Sequence, residues 1–368
     1  MSSKARQLAD LGNQVDNGAI TGTNMVINGG MTVAQRGTSA TGVTGNGYYT
    51  CDRFKVQIGN IGTYTVDQST DAPNGFSNSW KISCTTADAS PAAGDYLLLN
   101  HFIEGQDLQS LGFGTSGAKA LTMSFWVKSN KAGNASFEVE QSDNSAKMVG
   151  FQYAINATDT WEYKTISIPA DTAGVINNDN GKGFQINWWL NSGSTFTSGS
   201  HNSTWTAFAA GDTNPSNLGI GGSTSDYWQI TGVCLNVGDS AIDFPHESYG
   251  QTLAKCQRYF QKIGNGTSGY KRFAVCYNWA TGGVTTNALM PLPVQLRSLP
   301  SLSTVGTFAA YHGNASLSTV SNITFETAGS SLDVASLQVA TTGLVRGDIA
   351  FLIGNNDSSA AILLDAEL

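Results

Sequence analysis

Between residues 24 and 249, apolar and polar positions alternate in short runs, each bounded by clusters of Gly, Asn, Asp, Ser and Pro. A period of two sends successive side chains to opposite faces of a strand, so these runs predict half-buried β-strands. The clearest are 121–127, 161–168, 184–190 and 227–233. Strands at this spacing with no helical pattern between them point to a two-sheet sandwich or jelly roll. Residues 251–263 break the rhythm. There Leu253, Cys256, Phe260 and Ile263 recur at helical spacing while Lys255, Arg258 and Lys262 fall elsewhere, which predicts one short amphipathic helix. After Gly264 the strand pattern resumes at 270–277, 299–305, 321–325 and 348–353, punctuated by Pro291, Pro293 and Pro300 at edges or turns. It predicts a second, smaller β-sandwich. At the other end, residues 2–11 read as a short helix, with Leu8, Leu11 and Val15 spaced along one face before Gly12 and Gly18 interrupt it. So short a helix is unstable alone in water and must dock on something.

The expected division is therefore an attachment segment over 1–23, a jelly-roll domain over 24–249, a connecting helix over 250–264 and a C-terminal sandwich over 265–368. A chain of 368 residues is long enough for such a division. No repeat of solenoid length is visible, which argues against the long parallel β-helix.

Composition narrows the function. Only 12% of residues are charged, 42 are glycine and 10% are aromatic, a balance that suits many short strands and tight turns around a proper core. The net charge of −8 comes with no basic stripe to displace counterions from phosphates, so nucleic acid is not an expected partner. No apolar run approaches the ~20 residues that span a bilayer, so no membrane insertion is expected, and the start lacks a secretory signal, so the chain is expected to be made in a cytoplasm. Cys51, Cys84, Cys234, Cys256 and Cys276 lie far apart with no metal-site spacing, and read as buried thiols.

Candidate chemistry is sparse. Two Gly-x-Gly-x-x-Gly matches, Gly112 to Gly117 and Gly264 to Gly269, lack the strand-to-helix context of a dinucleotide site. His101, His201, His246 and His312 stand in no catalytic motif. Glu104 with Asp107, and Asp243 with Glu247, are carboxylate pairs that glycoside hydrolysis would need ~5–9.5 Å apart, but loops of an acidic chain produce such pairs freely. No catalytic residue and no cofactor is assigned. Asp and Asn oxygens of the first sandwich suit a structural calcium, but no ligand set can be named. The aromatics say more. Trp188 and Trp189 are adjacent in a predicted strand and must face opposite ways, one into the core and the other toward solvent or a neighbouring chain. Trp205 and Phe208 sit in a Gly/Ser/Asn-rich loop. Trp189, Trp205 and Phe208 are the candidate sugar-stacking rings, with a subunit interface or a core edge as the competing assignment.

Several stretches carry a resemblance. Asn24-Met-Val-Ile-Asn-Gly-Gly-Met-Thr-Val-Ala-Gln-Arg-Gly37, Tyr49-Thr-Cys-Asp-Arg-Phe54, the strand from Leu121 to Lys128, Ile230 to Gly238, and Phe244-Pro-His-Glu-Ser-Tyr249 with the following Leu253 to Phe260 resemble a module of tail fibres and receptor-binding proteins of tailed bacteriophages. The resemblance covers about residues 24–260. It implies an all-β jelly roll of the carbohydrate-binding-module type, a homotrimer and a place in the virion, and it transfers no catalytic residue. On this reading the N-terminal segment, with Leu8, Leu11 and Val15, joins a phage tail protein. The jelly roll forms the body and the C-terminal sandwich the tip, and the contact is host surface glycan. A glycan depolymerase and a purely structural tail adaptor or capsid decoration are the rival readings. Beside this, Asp52 and Arg53 next to Tyr49 and Phe54 suit an ion pair that fixes a corner.

Overall fold

The computed structural model describes residues 24–143, 146–264, 266–279, 285–313 and 316–368. The expected N-terminal helix, with Leu8, Leu11 and Val15, lies outside the described residues. The chain divides into two compact units, Met1–Thr252 and Leu253–Leu368.

Among the described residues of the first unit, twelve strands form two antiparallel six-stranded sheets: β1 (Ser39–Val43), β2 (Phe54–Gly59), β3 (Thr63–Ser69), β4 (Ser79–Thr86), β5 (Tyr96–Glu104), β6 (Leu121–Ser129), β7 (Gly133–Gln141), β8 (Lys147–Ile155), β9 (Glu162–Ile168), β10 (Lys182–Ser192), β11 (Thr206–Ala207) and β12 (Tyr227–Val237). One sheet runs β1-β3-β4-β12-β6-β9, the other β11-β8-β7-β10-β5-β2. Apart from the β3-β4 and β7-β8 hairpins, neighbouring strands in each sheet come from distant parts of the chain. The alternation read from the sequence is the cause of the layering. Phe125 and Val127 of β6, Phe137 and Val139 of β7, and Ile186 and Trp188 of β10 all point between the sheets and are fully buried. Trp188 packs edge-on against Phe125, with ring centroids 5.9 Å apart, and tilted against Phe137 at 5.5 Å. Deleting one such ring from a closed core costs about 3–5 kcal/mol.

The motif residues of the chain's opening act as clamps. Asn28, at a left-handed φ of 62°, donates to the carbonyls of Val33 and Asp52 and accepts from the amides of Thr32 and Val33. Asn24 ties the same segment to β12 through Val233 and Leu235. At the expected Asp52–Arg53 corner both side chains are anchored to the chain around them. Asp52 accepts from the Gln35 amide, with Arg36 3.9 Å away, while Arg53 donates to the carbonyl of Phe102. Arg53 stands at φ 73°, and its guanidinium reaches across to β5.

A short helix α1 (Ser194–Thr197) follows β10, and helix α2 (Tyr249–Gln257) ends sooner than the spacing predicted. Phe260 and Ile263 belong instead to β13 (Phe260–Ile263), which pairs with the last strand, so strand pairing overrides the helical periodicity there.

The second unit contains β13, β14 (Arg272–Tyr277), β15 (Thr285–Pro291), β16 (Ser301–Val305), β17 (Phe308–His312), β18 (Ser316–Phe325), β19 (Val334–Thr341), β20 (Ile349–Gly354) and β21 (Ala361–Asp365). The expected smaller sandwich is replaced by a closed barrel, β14-β15-β19-β18-β17-β20, and a three-stranded sheet, β13-β21-β16. The barrel interior explains the closure. Cys276, Ala288, Ala310, Ala335 and Ala350 are small and buried, so opposing strands can approach closely enough for the sheet to meet itself.

Candidate functional site

Trp189 pairs with Ser136 across β7, on the face of its sheet turned away from the core. It is nonetheless buried, against the expectation that one of the two adjacent tryptophans meets solvent or a neighbouring chain. Phe196 of α1 lies over it with centroids 5.2 Å apart, and its indole N–H donates to Glu138 Oε2 at 2.9 Å. Trp205 is half-buried at the core edge. It stacks on Phe184, meets Phe113 edge-on, and donates to the carbonyl of Pro169. Both rings are committed to packing; Phe208 alone of the three is exposed, at 45%.

Glu138 sits beneath this covered face, fully buried, with Asn187 and Asn100 in register beside it. Burial pushes its carboxyl up to about 7, against hydrogen bonds from Trp189 and Asn187 that favour the charged form. Its Oε1 has no partner among the described residues.

The accessible side-chain chemistry lies on the other sheet. Alternation that turns Phe125 and Val127 inward turns Trp126 and Lys128 outward on β6. Register places Tyr163 of β9 opposite Trp126, and Gln229 of β12 opposite Lys128. Trp126 and Tyr163 form a tilted pair 5.3 Å apart, with Tyr163 44% exposed. The aromatic line continues past Gly232, where φ is 62° and a Cβ would lie 2.7 Å from Phe76 and 3.0 Å from Trp126. Only glycine lets the Phe76 ring settle there. Phe76, Phe244 and His246 then form a three-ring cluster with centroids 5.0–5.2 Å apart. Beside it Asn24, Asn28, Gly29, Gly30 and Thr252 help line a recess of about 90 Å³.

A polar hub flanks the line. Asp71 accepts from Lys128 at 2.8 Å and from Gln229 and Trp161, both at 3.2 Å. Burial works against its charge, but these three donors outweigh it and hold the carboxyl below its ordinary range. Gln229 is fixed in turn by Ser79 at 2.9 Å. Lys81 lies 4.8 Å above the Tyr227 ring, whose hydroxyl donates to Asp159. Flat rings, a fixed carboxylate and fixed amides on a rigid sheet can stack on a sugar face and bind its hydroxyls.

Sequence reasoning missed this face. The signal was present in Phe125-Trp126 and in Trp161-x-Tyr163, whose i, i+2 spacing puts both rings on one side of β9 or its approach. Asp71 arrives from a distant loop and no local pattern marks it.

The other expected residues do not converge on this face, His246 excepted. His101 is buried, and burial together with the charge of Arg53 holds its imidazole well below the ordinary value. His201 and His312 pair with the hydroxyls of Ser216 and Ser318. Cys51, Cys84, Cys234 and Cys276 are buried free thiols. Among the described residues no three His, Cys, Asp or Glu side chains are grouped to hold a metal ion, and no helix is long and apolar enough to cross a membrane.

No protein-family model matches the chain, and no curated protein sequence matches it. Solved structures do. The enzymatically active domain of tailspike protein 4 of bacteriophage CBA120 is 13% identical with a TM-score of 0.29, over 58% of this chain and 21% of that one. The chain thus spans about a fifth of the tailspike domain. A family 11 carbohydrate-binding module from Clostridium thermocellum, in complex with a β-1,3-1,4-mixed-linked tetrasaccharide, is 10% identical with a TM-score of 0.28, over 56% and 98%. A family 61 carbohydrate-binding module in complex with β-1,4-galactotriose is 10% identical with a TM-score of 0.27, over 59% and 99%. The first unit is an all-β sandwich of two six-stranded sheets.

Proposed function

We propose that this chain is a non-catalytic bacteriophage tail component that holds the virion to a bacterial surface by binding glycan. The binding face is the outer face of the sheet that carries Trp126. The observation that carries this reading is the line of accessible rings from Tyr163 through Trp126 and Phe76 to Phe244, set against the Asp71–Lys128–Gln229 hub. Such a surface supplies apolar flats and directional hydrogen bonds together, the combination a polyhydroxylated ring needs. The tail assignment leans on the motif resemblance of residues 24–260, and with it come a homotrimer and an N-terminal segment that joins the tail.

Each stacked ring supplies about 0.5–1.5 kcal/mol, so one chain holds a glycan only weakly. Three linked copies raise the avidity by a factor on the order of 10²–10⁴. Purified chain, applied to immobilised bacterial lipopolysaccharide and capsule, is expected to bind and to block phage adsorption as a competitor. The double variant Trp126→Ala, Tyr163→Ala is expected to do neither. Undiminished binding by that variant sinks the assignment of the face, and new reducing ends in the polysaccharide would show a depolymerase instead.

A further inference from the structure

The second unit holds a recess of about 220 Å³ that the first unit's site does not explain. Its rim is built from Thr304 of β16, Thr307 of the following turn, Thr319, Ser321 and Asn322 of β18, and Asn355 after β20; Phe308 and Ile323 form the floor. None of the lining residues is Lys, Arg, Asp, Glu or His. The side chains of Thr304, Thr319, Asn322 and Asn355 make no hydrogen bond to the described residues, so their donors and acceptors are uncommitted.

Two backbone features hold this rim open. The register of β18 against β19 slips between Val320 and Asn322, a bulge that inserts Ser321 and re-aims its neighbours. Between β16 and β17 the chain turns through Gly306 at φ 74°, where a Cβ would strike Asp357 Oδ2 at 2.6 Å. Asp357 accepts from the Thr307 amide at 2.8 Å and the Thr307 hydroxyl at 3.2 Å, and so fixes that side of the rim from outside the recess.

We infer that this recess is a second binding site, selective for an uncharged sugar ring. Hydroxyls and amides above an apolar floor match a pyranose, which offers hydroxyls at its edge and C–H groups on its face. The absence of charge from the lining disfavours anionic sugars, whose carboxylates would lose hydration without gaining a cation. The volume falls below the roughly 300 Å³ at which drug-sized sites begin, so a chain end or branch residue fits better than the middle of a polysaccharide. The inference deepens the glycan-binding reading and stands apart from its site.

Ligand-observed saturation-transfer NMR on the full chain tests it, with methyl glycosides of glucose, galactose, mannose and N-acetylglucosamine as probes and N-acetylneuraminic acid as the anionic comparison. At least one neutral glycoside is expected to bind at millimolar concentration. Its residual affinity in Trp126→Ala, which silences the first unit's face, is expected to fall about tenfold when Thr304→Val, Asn322→Ala is added, which loses two hydrogen-bonding groups. Both altered positions of the double variant are solvent-exposed, so the fold is retained. Binding of no neutral glycoside overturns the inference, as does equal binding of the anionic sugar, or a signal that survives the double variant and vanishes in Trp126→Ala. A signal lost in the double variant upholds the recess even where the Trp126 face proves inert.

Discussion

Replacing Glu138 by glutamine is expected to remove a pH dependence of stability that the wild-type chain carries between about pH 4.5 and 7. In the folded protein the Glu138 carboxyl is raised from its ordinary value of 4.5 to about 7, because burial penalises the charge more than Trp189 and Asn187 relieve it. Between those two pH values the folded state holds a proton that the unfolded chain has released, so stability falls as pH rises. The contribution is fully present below 4.5 and lost above about 7. At about 1.4 kcal/mol per pH unit, the window is worth on the order of 3 kcal/mol, or roughly 10 °C in Tm for a unit of this size. Glutamine keeps an acceptor for the Trp189 indole and carries no charge at any pH. Thermal or urea unfolding followed by tryptophan fluorescence at pH 4.5, 6 and 8 measures both proteins. The difference, wild type minus variant, is expected to drop across the window; a difference flat in pH would show that the buried site tolerates the charge and would refute the reasoning.

Trp188→Ala is expected to cost about 3–5 kcal/mol in urea unfolding, since its ring is enclosed by Phe125 and Phe137; a loss below 1 kcal/mol would contradict the packing. Asp71→Asn is expected to weaken glycan binding by releasing Lys128 and Trp161, with little change in Tm because the group is largely exposed. Wild-type binding is expected to hold through neutral pH and to fail only in acid, as pH drops through the depressed Asp71 pKa, while the asparagine variant shows no such acid limb. Gly232→Ala is expected to displace Phe76 and Trp126 and to lower both stability and glycan affinity, read by unfolding and by binding to immobilised polysaccharide; retention of both would show that the close approach at φ 62° is not required.

The layering of the first unit was legible because its strands are long, β-branched and aromatic, and their alternation has one physical solution. The second unit was not. Strands such as Val334–Thr341 and Phe308–His312 bury alanine and serine as readily as leucine, so their inward face carries little hydropathy signal, and closure depends on that same smallness. The helix predicted to reach Ile263 failed for a related reason, since apolar residues three and four apart also suit a strand that buries both faces. Of the candidate rings, Trp205 takes the core edge that was its competing assignment, and Trp189 is covered by a loop that folds back over the sheet face and brings Phe196 onto it. No period within β10 can report what covers it. Trp126 was readable by the same adjacency argument applied to Trp188 and Trp189, whereas Asp71 required the tertiary fold.

The ring of β14-β15-β19-β18-β17-β20 has neither a first nor a last strand. An open sheet ends in a ladder of unsatisfied amides and carbonyls that invites any passing extended chain, its own copies above all. Where many copies are crowded at one place, that invitation becomes fibre growth. A hoop closed on itself withdraws it from these six strands, while β13 and β16 remain the edges of the unit's three-stranded sheet.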